Sequence, residues 1–587
     1  MRNVYLVQVN NTFGDNVFLP YSVGLLQAYC QSLDWVEKEY CFKELIYLRE
    51  RPEAIVERME NPDVVGFSCY IWNWEFNKVL AKKVRESYPG CLIVFGGPHV
   101  PNSVELRSDI PDYVDVVIYH EGEVAFSETL RFRCGGLKAE TLGQLTSFRI
   151  SDLSILPSPY LTGVFDKMLE SNYNHNASQE THRGCAYSCS FCDWGSAVMS
   201  KVRAFDDERL IREFEWMGQH KIELLYSCDA NFGLLPRDLD LTKAMVAVKE
   251  RYGYPQQFRA AYAKNSGQQV LNISRVVHQA GMSKGTTLSF QSLDPHTLQE
   301  IKRSNIKIEN FKSLLGTYRQ EGIPTYTELI LGLPGETYES FTNGIEQLLN
   351  AGQHEGLNIY LLAVLPNAEM GELEYQKKHG MRMIRSPLLQ QHSTPNQDGI
   401  QETCLLCIET ATMSEADWVR AYMFSWAVQA FHGFGLLREV AMYLHDVQGV
   451  RYQEFYEWVL KIAARYPGTV LAGEYRRTLA VVNRGLSGGF WGEVYPRFGF
   501  VVWPTEELTY LNIASGKANN FYDDRFYTEM NFLLWLKWPD LLEVSSRIVL
   551  DHASVRAVSE FNGDSVEFAK QAVWYARKRL LQKPVEV

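Results

Sequence analysis

Three cysteines fall within eight residues of one short stretch, RGCAYSCSFCDWG, at residues 183–195. Cys185, Cys189 and Cys192 are spaced four and then three residues apart, whereas the other eight of the 11 cysteines are mostly scattered singly. Glycines near both ends and polar residues between the cysteines are typical of a loop and disfavour three cysteines buried in a core. Cysteines concentrated in a loop indicate a metal site.

Two kinds of metal site take cysteines in this number. Structural zinc takes four ligands, usually as two separated pairs, and Cys404 and Cys407 in TCLLCIE could complete such a set. The apolar residues around that pair favour a buried strand or helix instead. A four-iron cluster is held by thiolates and normally takes four. Three would leave one iron open to a further ligand, as catalytic zinc sites leave one position open.

The cysteine loop follows the first of six candidate strands that alternate with helical segments between about residues 176 and 370. These strands are predicted at 177–184, 221–228, 257–263, 285–292, 324–332 and 356–365, with a helix at 207–219 between the first two. Six such units favour an incomplete parallel barrel, since a full barrel has eight. Catalytic residues of parallel barrels lie at the carboxyl ends of the strands, where the cysteine loop is expected.

The first 150 residues carry a second alternating pattern. Strands are predicted at 4–9, 64–70, 91–97 and 114–119, and helices at 21–33 and 77–90. Continuous apolar strands between helices predict a parallel sheet covered on both faces. Such a doubly wound domain binds its ligand at the carboxyl ends of its strands. The sequence there reads SCYIWNW (68–74), GGPHVPN (96–102) and HEGE (120–123), although a glycine pair alone is equally typical of a tight turn.

The motif CxxxCxxC after a first barrel strand resembles the radical S-adenosylmethionine (SAM) superfamily. The resemblance implies that the three cysteines hold a [4Fe-4S] cluster whose open iron binds the amine and carboxylate of SAM. It places Phe191 near the adenine, and the polar residues of CDANF (228–232) near the methionine amine. The SAM contacts implied in this way are Phe191, Asp229, Asn231, Gln291, Ser292, Gly332 and Leu333.

Glu328 lies in the predicted strand of ELILGLPGET (328–337). Strand alternation puts Glu328, Ile330 and Gly332 on one face. A solvated position is disfavoured because apolar strand residues flank Glu328 on both sides. If that face is the barrel interior, Glu328 could reach the substrate or the edge of the cluster.

A doubly wound domain directly upstream of such a barrel resembles the cobalamin-dependent (class B) subclass of these enzymes, over about residues 1–370. The motif D-x-H-x-x-G, which places a histidine on cobalt in other cobalamin domains, does not occur. The resemblance instead implies Tyr70, Ile71 and Trp72 below the corrin ring, and His99 on its side chains or nucleotide tail. The implied cobalamin contacts are Tyr21, Ser68, Tyr70, Ile71, Trp72, Gly96, Gly97, Pro98, His99, Glu121 and Gly122.

The predicted fold class is therefore α/β with a helical C-terminal part. We expect a Rossmann-like cobalamin domain at 1–150, a linker at 151–175, a partial (β/α)6 radical SAM barrel at 176–380 and a mostly helical domain at 381–587. The last region holds eight of the 13 tryptophans and has helical patterns at 415–435 and 565–581. Aromatic residues at helical spacing are more typical of a core than of a pocket.

The resemblance implies a methyltransferase that uses methylcobalamin and a 5′-deoxyadenosyl radical to methylate an unactivated carbon of a small molecule or peptide. It also implies an external electron donor such as flavodoxin or ferredoxin. A rival hypothesis keeps both cofactors but performs a rearrangement, cyclisation or oxidation without methyl transfer. A non-catalytic cofactor-binding sensor is a third, which the intact three-cysteine loop disfavours.

Bulk composition bounds the setting of this chemistry. The net charge is −12, which disfavours a nucleic-acid partner in the absence of a basic run. No apolar run approaches the roughly 18 residues of a membrane helix, and the N-terminus lacks a signal-peptide pattern. An odd number of cysteines without a regular framework argues for a reducing compartment. We therefore expect a soluble, cytoplasmic protein.

Overall fold

The computed structural model describes residues 1–103, 106–138, 149–194, 200–264, 267–354, 356–514 and 523–541. Contacts within the chain divide it into two compact units. Unit 1 comprises residues 1–284, 364–378 and 396–404, and unit 2 comprises residues 285–363, 379–395 and 405–587. The division into four domains expected from the sequence stays a prediction.

A parallel six-stranded sheet forms from the N-terminal residues of unit 1. Across the sheet its strands are Tyr40–Phe42, Arg2–Asn10, Pro62–Ser68, Leu92–Gly96 and Val116–Ile118, and Ile46–Leu48 also pairs with Arg2–Asn10. Val4 and Leu6 enter one core cluster, whereas Tyr5 and Val7 enter another. Because successive strand residues point to opposite faces, both faces of the sheet are covered, as predicted.

Five helices accompany this sheet in the described residues: Tyr21–Gln31, Asp34–Glu39, Pro52–Glu57, Trp74–Ser87 and Gly122–Arg133. The two helices predicted for this region, 21–33 and 77–90, are confirmed with shifted ends. The short strands Tyr40–Phe42 and Ile46–Leu48 were not predicted, since three residues are too few to show a period.

A second parallel sheet in unit 1 carries the cysteine loop. Its strands, in order, are Gln257–Tyr262, Leu224–Phe232, Asn174–Gln179 and Asn16–Phe18, with helices Asp207–Gln219, Asp238–Tyr252 and Gly267–Gln279. The predicted strand 177–184 ends early, and His182–Arg183 pairs antiparallel with Arg203–Ala204 instead. The strand ends because side-chain hydrogen bonds, described below, take the backbone N–H groups that follow it.

Unit 2 contains a parallel sheet of Thr286–Thr287, Thr325–Leu331 and Leu357–Leu361. Its helices are Pro295–Glu300, Ile308–Gln320 and Tyr338–Asn350. The predicted strand 285–292 is regular at only two residues. Gln291 has φ +66°, outside strand geometry, and keeps one isolated bridge to Leu329.

Helices dominate the described residues after 414, as predicted. They are Glu415–Ala427, Arg438–Gln448, Tyr452–Arg465, Val470–Leu486, Thr505–Ala514 and Asp523–Lys537, with a π-helical turn at Val428–Gly433. Trp418, Trp426, Trp491 and Trp503 are fully buried, so these aromatic side chains form core, as the spacing indicated. The predicted helix 565–581 lies outside the described residues.

Shorter elements complete the chain. They are the strands Ala363–Val364, Arg382–Pro387, Thr403–Glu409, Glu493–Val494 and Val502–Trp503 and the helix Leu373–Lys378. Cys404 and Cys407 lie in a buried strand, the alternative that the sequence favoured over a metal site. In the described part of the chain, no helix is long and apolar enough to span a membrane.

The residues predicted as a linker, 151–175, include several buried side chains. Leu153, Leu156, Tyr160 and Phe165 are nearly inaccessible to solvent and belong to the same core cluster as Val4 of the first sheet and Leu225 of the second. The two sheets of unit 1 therefore share one hydrophobic core.

Candidate cofactor sites

A glycine turn and a buried aspartate hold the start of the cysteine loop. Gly184 has φ +112°, and a Cβ atom there would lie 2.4 Å from the carbonyl oxygen of Lys201, so glycine is required. Asp229 accepts hydrogen bonds from the backbone N–H groups of Thr181 (2.7 Å) and His182 (3.0 Å). The structure thus places Asp229, a predicted SAM contact, on the backbone that leads into the loop.

Two of the three cysteine sulfurs receive hydrogen bonds from neighbouring strand ends. Asn231 Nδ2 lies 3.3 Å from Cys185 Sγ, and Lys264 Nζ lies 3.0 Å from Cys189 Sγ. Cys185 and Cys189 are buried, and Cys192 is half-buried. Burial raises the pKa of the Cys192 thiol to about 12, against the opposing charge of Lys264. Because a cysteine binds iron as the thiolate, binding at this sulfur releases a proton.

This donor set fits an iron–sulfur cluster. N–H donors aimed at cysteine sulfurs are a recurrent feature that tunes such clusters. Among the described residues, no three His, Cys, Asp or Glu side chains converge on the position of one metal ion. A four-iron cluster takes one thiolate on each of several irons and does not need such convergence.

Phe191 and Asn231 remain beside the cysteines in the structure. Phe191 is half-buried within the loop. The Asn231 side chain is buried, and its Oδ1 atom has no hydrogen-bond partner among the described residues. An unpartnered buried carbonyl oxygen is costly, and it offers an acceptor to an amine such as that of SAM.

The remaining predicted SAM residues lie in unit 2, around the end of the strand Thr325–Leu331. Gln291 donates its backbone N–H to the carbonyl oxygen of Glu328 at 2.9 Å. Gly332 has φ +101°, and a Cβ atom there would lie 2.9 Å from the carbonyl oxygen of Cys407. Leu333 is fully buried. Gly332 is thus required by the local packing, whatever ligand approaches it.

Two acidic side chains accompany this strand end. Glu328 is half-buried while its neighbours Thr327 and Leu329 are buried, so it lies on the opposite face from them, and burial raises its pKa. Glu336, which the sequence reasoning missed, is 1% exposed and accepts a hydrogen bond from Ser292 Oγ at 2.7 Å. Burial raises the pKa of Glu336 to about 8.

At the end of the doubly wound sheet, Ser68 and Tyr21 belong to the packing of unit 1. Ser68 Oγ lies 2.9 Å from Ser22 Oγ, which donates to Gln8 Oε1 at 2.7 Å. Tyr21 is buried, and its ring stacks on Tyr160 with centroids 5.9 Å apart. A cobalamin contact by either residue stays a prediction.

Tyr70, Ile71 and Trp72 form a half-buried aromatic turn after the strand Pro62–Ser68. The rings of Tyr70 and Trp72 stack at 4.3 Å with an angle of 11° between their planes. Asn73 Oδ1 accepts the backbone N–H of Tyr70 at 2.8 Å. These contacts fix the orientation of the two stacked rings at the end of the strand.

A buried ionic network holds this aromatic turn from a distant segment of the chain. Arg49 Nε lies 2.7 Å from Asp398 Oδ2, and Arg49 Nη1 lies 3.0 Å from Glu402 Oε1. Arg49 also donates to the carbonyl oxygen of Trp72 at 3.2 Å. Glu402 in turn accepts the backbone N–H of Glu75 at 2.8 Å, in the first turn of the next helix.

The glycine pair makes a close backbone crossing. Gly97 has φ +104°, and a Cβ atom there would lie 2.7 Å from the carbonyl oxygen of Cys69. Gly96 ends the preceding strand and is half-buried. The Pro98 carbonyl oxygen accepts from Asn367 Nδ2 at 2.8 Å. The tight turn that the glycine pair also allowed is therefore present at Gly97, and a cofactor contact at Gly96 or Gly97 stays a prediction.

His99 and the HEGE segment are tied into unit 1 as well. The His99 ring packs edge-on against Trp74 with centroids 5.5 Å apart. Gly122 begins the helix Gly122–Arg133. Glu121 accepts from Arg203 Nη2 at 2.5 Å. Burial alone would raise the pKa of the Glu121 carboxyl. The hydrogen bond from Arg203 and the charge of Arg183 outweigh burial, so this pKa lies below its ordinary value.

The sequence reasoning missed Lys264 and the Arg49 network for different reasons. Lys264 directly follows the predicted strand 257–263, so its place at a strand end was a usable signal. Arg49 and Asp398 are 349 residues apart, and no local pattern connects them.

Comparisons with known proteins identify the domains that carry these residues. The family model of the B12 binding domain matches residues 42–130, and that of the Radical SAM superfamily matches residues 180–348. Solved structures with a similar fold include TsrM from Kitasatospora setae, at TM-score 0.53 and 15% identity over 74% of this chain and 91% of TsrM. OxsB matches at TM-score 0.53 and 12% identity over 97% of this chain and 83% of OxsB.

Curated relatives are closer in sequence. The chain is 40% identical to the cobalamin-dependent radical SAM methyltransferase TokK of Streptomyces tokunonensis, over 81% of this chain and 72% of TokK. It is 39% identical to the 2-(S-pantetheinyl)-carbapenam-3-carboxylate methyltransferase of Streptantibioticus cattleyicolor, with the same coverage of both chains. The predicted cofactors, cobalamin, SAM and a [4Fe-4S] cluster, are confirmed by the two family models and by similar solved structures, TsrM with cobalamin and a [4Fe-4S] cluster and OxsB with aqua-cobalamin and SAM. The chain belongs to the family of cobalamin-dependent radical SAM methyltransferases.

Proposed function

We propose that this methyltransferase acts on an unactivated carbon of a small bicyclic β-lactam carboxylate that carries an S-pantetheinyl arm. The observation that supports this substrate class is the 39% identity, over 72% of its length, to an enzyme named for methylating 2-(S-pantetheinyl)-carbapenam-3-carboxylate. The peptide substrate that the sequence left open has no comparable support.

Cys185, Cys189 and Cys192 are assigned as the three ligands of the cluster. When bound, the cluster supplies an electron for the cleavage of SAM, and cobalamin carries the methyl group. The fixed Gly184 turn and the hydrogen bonds of Asp229 orient the loop before the cluster is present. A low-potential one-electron protein such as flavodoxin or ferredoxin is the proposed donor.

The SAM contacts are proposed from local features of each unit. In unit 1, Asn231 Oδ1 offers an unpartnered acceptor to the methionine amine, and Phe191 offers an apolar ring beside the cysteines. Asp229 already accepts from Thr181, His182 and Ser227, which favours a supporting role for it. In unit 2 the proposed contacts remain Gln291, Ser292, Gly332 and Leu333.

The aromatic turn is assigned to the face of cobalamin that points away from the substrate. Tyr70, Ile71 and Trp72 would support the corrin by packing, since none of them carries the imidazole nitrogen that binds cobalt in other cobalamin domains. Tyr21, Ser68, Gly96, Gly97, Pro98, His99, Glu121 and Gly122 are the other proposed contacts. Glu328 is proposed to contact substrate, because it is half-buried on the face of its strand opposite to Thr327 and Leu329.

The test is a reaction of anaerobically reconstituted protein with 2-(S-pantetheinyl)-carbapenam-3-carboxylate and SAM deuterated in its methyl group. We expect a product that carries the deuterated methyl group, together with 5′-deoxyadenosine, both detected by mass spectrometry. The Cys189→Ala variant should form neither, while Cys41→Ala, at a cysteine outside the loop, should form both.

The same reaction separates the rival hypotheses. Deoxyadenosine that depends on substrate, with an unlabelled altered product, would establish a radical rearrangement, cyclisation or oxidation. If labelled product forms only when the pantetheinyl arm is removed or replaced by another group, the proposed substrate class is wrong and methyl transfer stands.

A further inference from the structure

Lys264 contacts the cysteine loop, although it is not one of the residues proposed to bind a cofactor. It lies two residues beyond the strand Gln257–Tyr262. Its ammonium nitrogen is 3.0 Å from Cys189 Sγ and 4.9 Å from the centroid of the Tyr187 ring. The cation thus lies against two side chains of the loop, one sulfur and one aromatic face.

The position is partly shielded from water, and this strengthens the interaction. Cys189 is 4% exposed, and attraction between opposite charges grows as the surrounding dielectric falls. A cysteine that binds iron is a thiolate. The ammonium group therefore offers Cys189 both a hydrogen bond and a full positive charge.

Asn231, in the neighbouring strand Leu224–Phe232, provides an internal comparison. Its amide donates to Cys185 Sγ at 3.3 Å, so it offers a neutral and longer hydrogen bond to a second cysteine of the same loop. Hydrogen bonds to charged groups are about twice as strong as neutral ones. Of the two donors, Lys264 should act more strongly on the cluster.

Reduction adds one negative charge to an iron–sulfur cluster. Hydrogen bonds to the sulfurs and nearby positive charge stabilise the reduced form and so raise the reduction potential. We propose that Lys264 is a positioning residue that raises the reduction potential of the cluster through its hydrogen bond and charge at Cys189. The proposal rests on the assignment of the three cysteines as cluster ligands.

The test measures the midpoint potential directly. Lys264→Met keeps the length of the side chain and removes the donor and the charge, whereas Lys264→Arg keeps both. Each reconstituted full-length protein, without SAM, is titrated with a low-potential reductant while the signal of the reduced cluster is followed by electron paramagnetic resonance. Lys243→Met, at an exposed lysine paired with Asp240, is the matched control.

At the midpoint potential of the unmodified protein, Lys264→Met should show about a tenfold lower ratio of reduced to oxidised cluster, or about 59 mV for one electron. Lys264→Arg and Lys243→Met should stay within about threefold of the unmodified protein by the same relation. A Lys264→Met protein with full iron content and an unchanged midpoint would overturn the proposal. Such a result would leave Lys264 as a purely structural partner of Tyr187.

Two further outcomes are decisive. If Lys264→Met cannot hold iron, Lys264→Gln, a neutral donor, is titrated in its place. Failure of both variants to hold iron would also overturn the proposal, because the lysine would then serve cluster assembly. If the unmodified protein itself binds no cluster, the assignment of the three cysteines fails instead.

Discussion

The two strand ends of unit 1 that are proposed to face cofactors differ in the chemical groups they present. At the end of the doubly wound sheet, the proposed contacts are a glycine crossing at Gly97 and the stacked rings of Tyr70 and Trp72. At the end of the second sheet, Asn231 and Lys264 aim polar atoms at cysteine sulfurs. The first strand end offers aromatic rings and closely packed backbone, and the second offers a positive charge and hydrogen-bond donors.

This difference matches what the two proposed ligands, cobalamin and an iron–sulfur cluster, require of a binding surface. A corrin is large and needs a flat, fitted surface, which backbone turns and aromatic rings provide. An iron–sulfur cluster is small and anionic, and it needs ligands and donors at fixed points. Ionic groups also support the first end, but they do so from the protein interior. Arg49 binds the Trp72 carbonyl oxygen, and Arg49, Asp398 and Glu402 are nearly inaccessible to solvent.

The largest expected effect tests whether the aromatic turn depends on that hidden network. Arg49→Met leaves Asp398 and Glu402 buried without their cation, and breaking a buried pair costs about 3–5 kcal/mol. We expect a loss of this size in the free energy of unfolding, measured by urea titration, together with lower retention of cobalamin, measured by its absorption spectrum. Arg58→Met, at an exposed pair with Glu50, should cost about 0–1 kcal/mol.

The double variant Arg49→Met with Asp398→Asn should recover part of the lost stability, because it removes one of the stranded charges. If Arg49→Met lowers the free energy of unfolding and the retention of cobalamin no more than Arg58→Met does, the ionic network does not stabilise the aromatic turn. The proposed support of the first strand end by buried charges is then wrong.

A smaller effect tests the role of shape at the glycine crossing. Gly97→Ala forces a Cβ atom to within 2.7 Å of the Cys69 carbonyl oxygen, whereas Gly135, at φ +82°, has no atom within 4 Å of the equivalent position. Both substitutions carry the strain of a positive φ, about 1–2 kcal/mol. Gly97→Ala should cost about 1–3 kcal/mol more from overpacking, and it should weaken cobalamin binding in a spectroscopic titration.

Equal cobalamin affinity in Gly97→Ala and Gly135→Ala would show that the crossing is needed only for the fold. The glycine pair would then be the tight turn that its sequence also allowed, and nothing more.

A pH-dependent effect, about 1.4 kcal/mol for each pH unit, extends the comparison to Glu336, which follows the strand Thr325–Leu331 of unit 2. Burial raises the pKa of Glu336 from its ordinary 4.5 to about 8, so the folded protein holds this proton between those pH values. Stability from this residue is therefore complete below about pH 4.5 and is lost as the pH rises through 8, at about 1.4 kcal/mol per pH unit.

Glu336→Gln has no proton to lose, so its stability relative to the unmodified protein should rise steadily between pH 5 and 8. Urea titrations across this range measure the difference, with the exposed Glu309→Gln as control. A difference that does not change with pH would show that folding does not raise the pKa of Glu336.

Several elements of the fold could be predicted from local pattern. The helix at 207–219 was predicted with the bounds that the structure gives it, because an amphipathic period is strong over thirteen residues. The strands around Gln179 and Gln291 were predicted too long. A strand ends where side chains or a positive φ divert the backbone, and apolar pattern does not record either.

The residues of the candidate sites divide in the same way. Cys185, Cys189 and Cys192 were found because their spacing is local and specific. Glu336 was overlooked within a stretch already singled out, because its significance lies in burial. Asp229 was expected to face SAM, and the structure shows its carboxylate holding the backbone at Thr181 and His182.

What the sequence determined by itself is the chemistry: three thiols in one loop, with glycines and aromatic residues after buried strands. These features involve residues close together in the chain, so the sequence alone is enough to identify them. Only the tertiary structure decided that Lys264 lies on Cys189 and that residues 396–404 return to hold Trp72 through Arg49. Such contacts depend on how distant segments pack, and packing is a property of the whole fold rather than of any stretch of it.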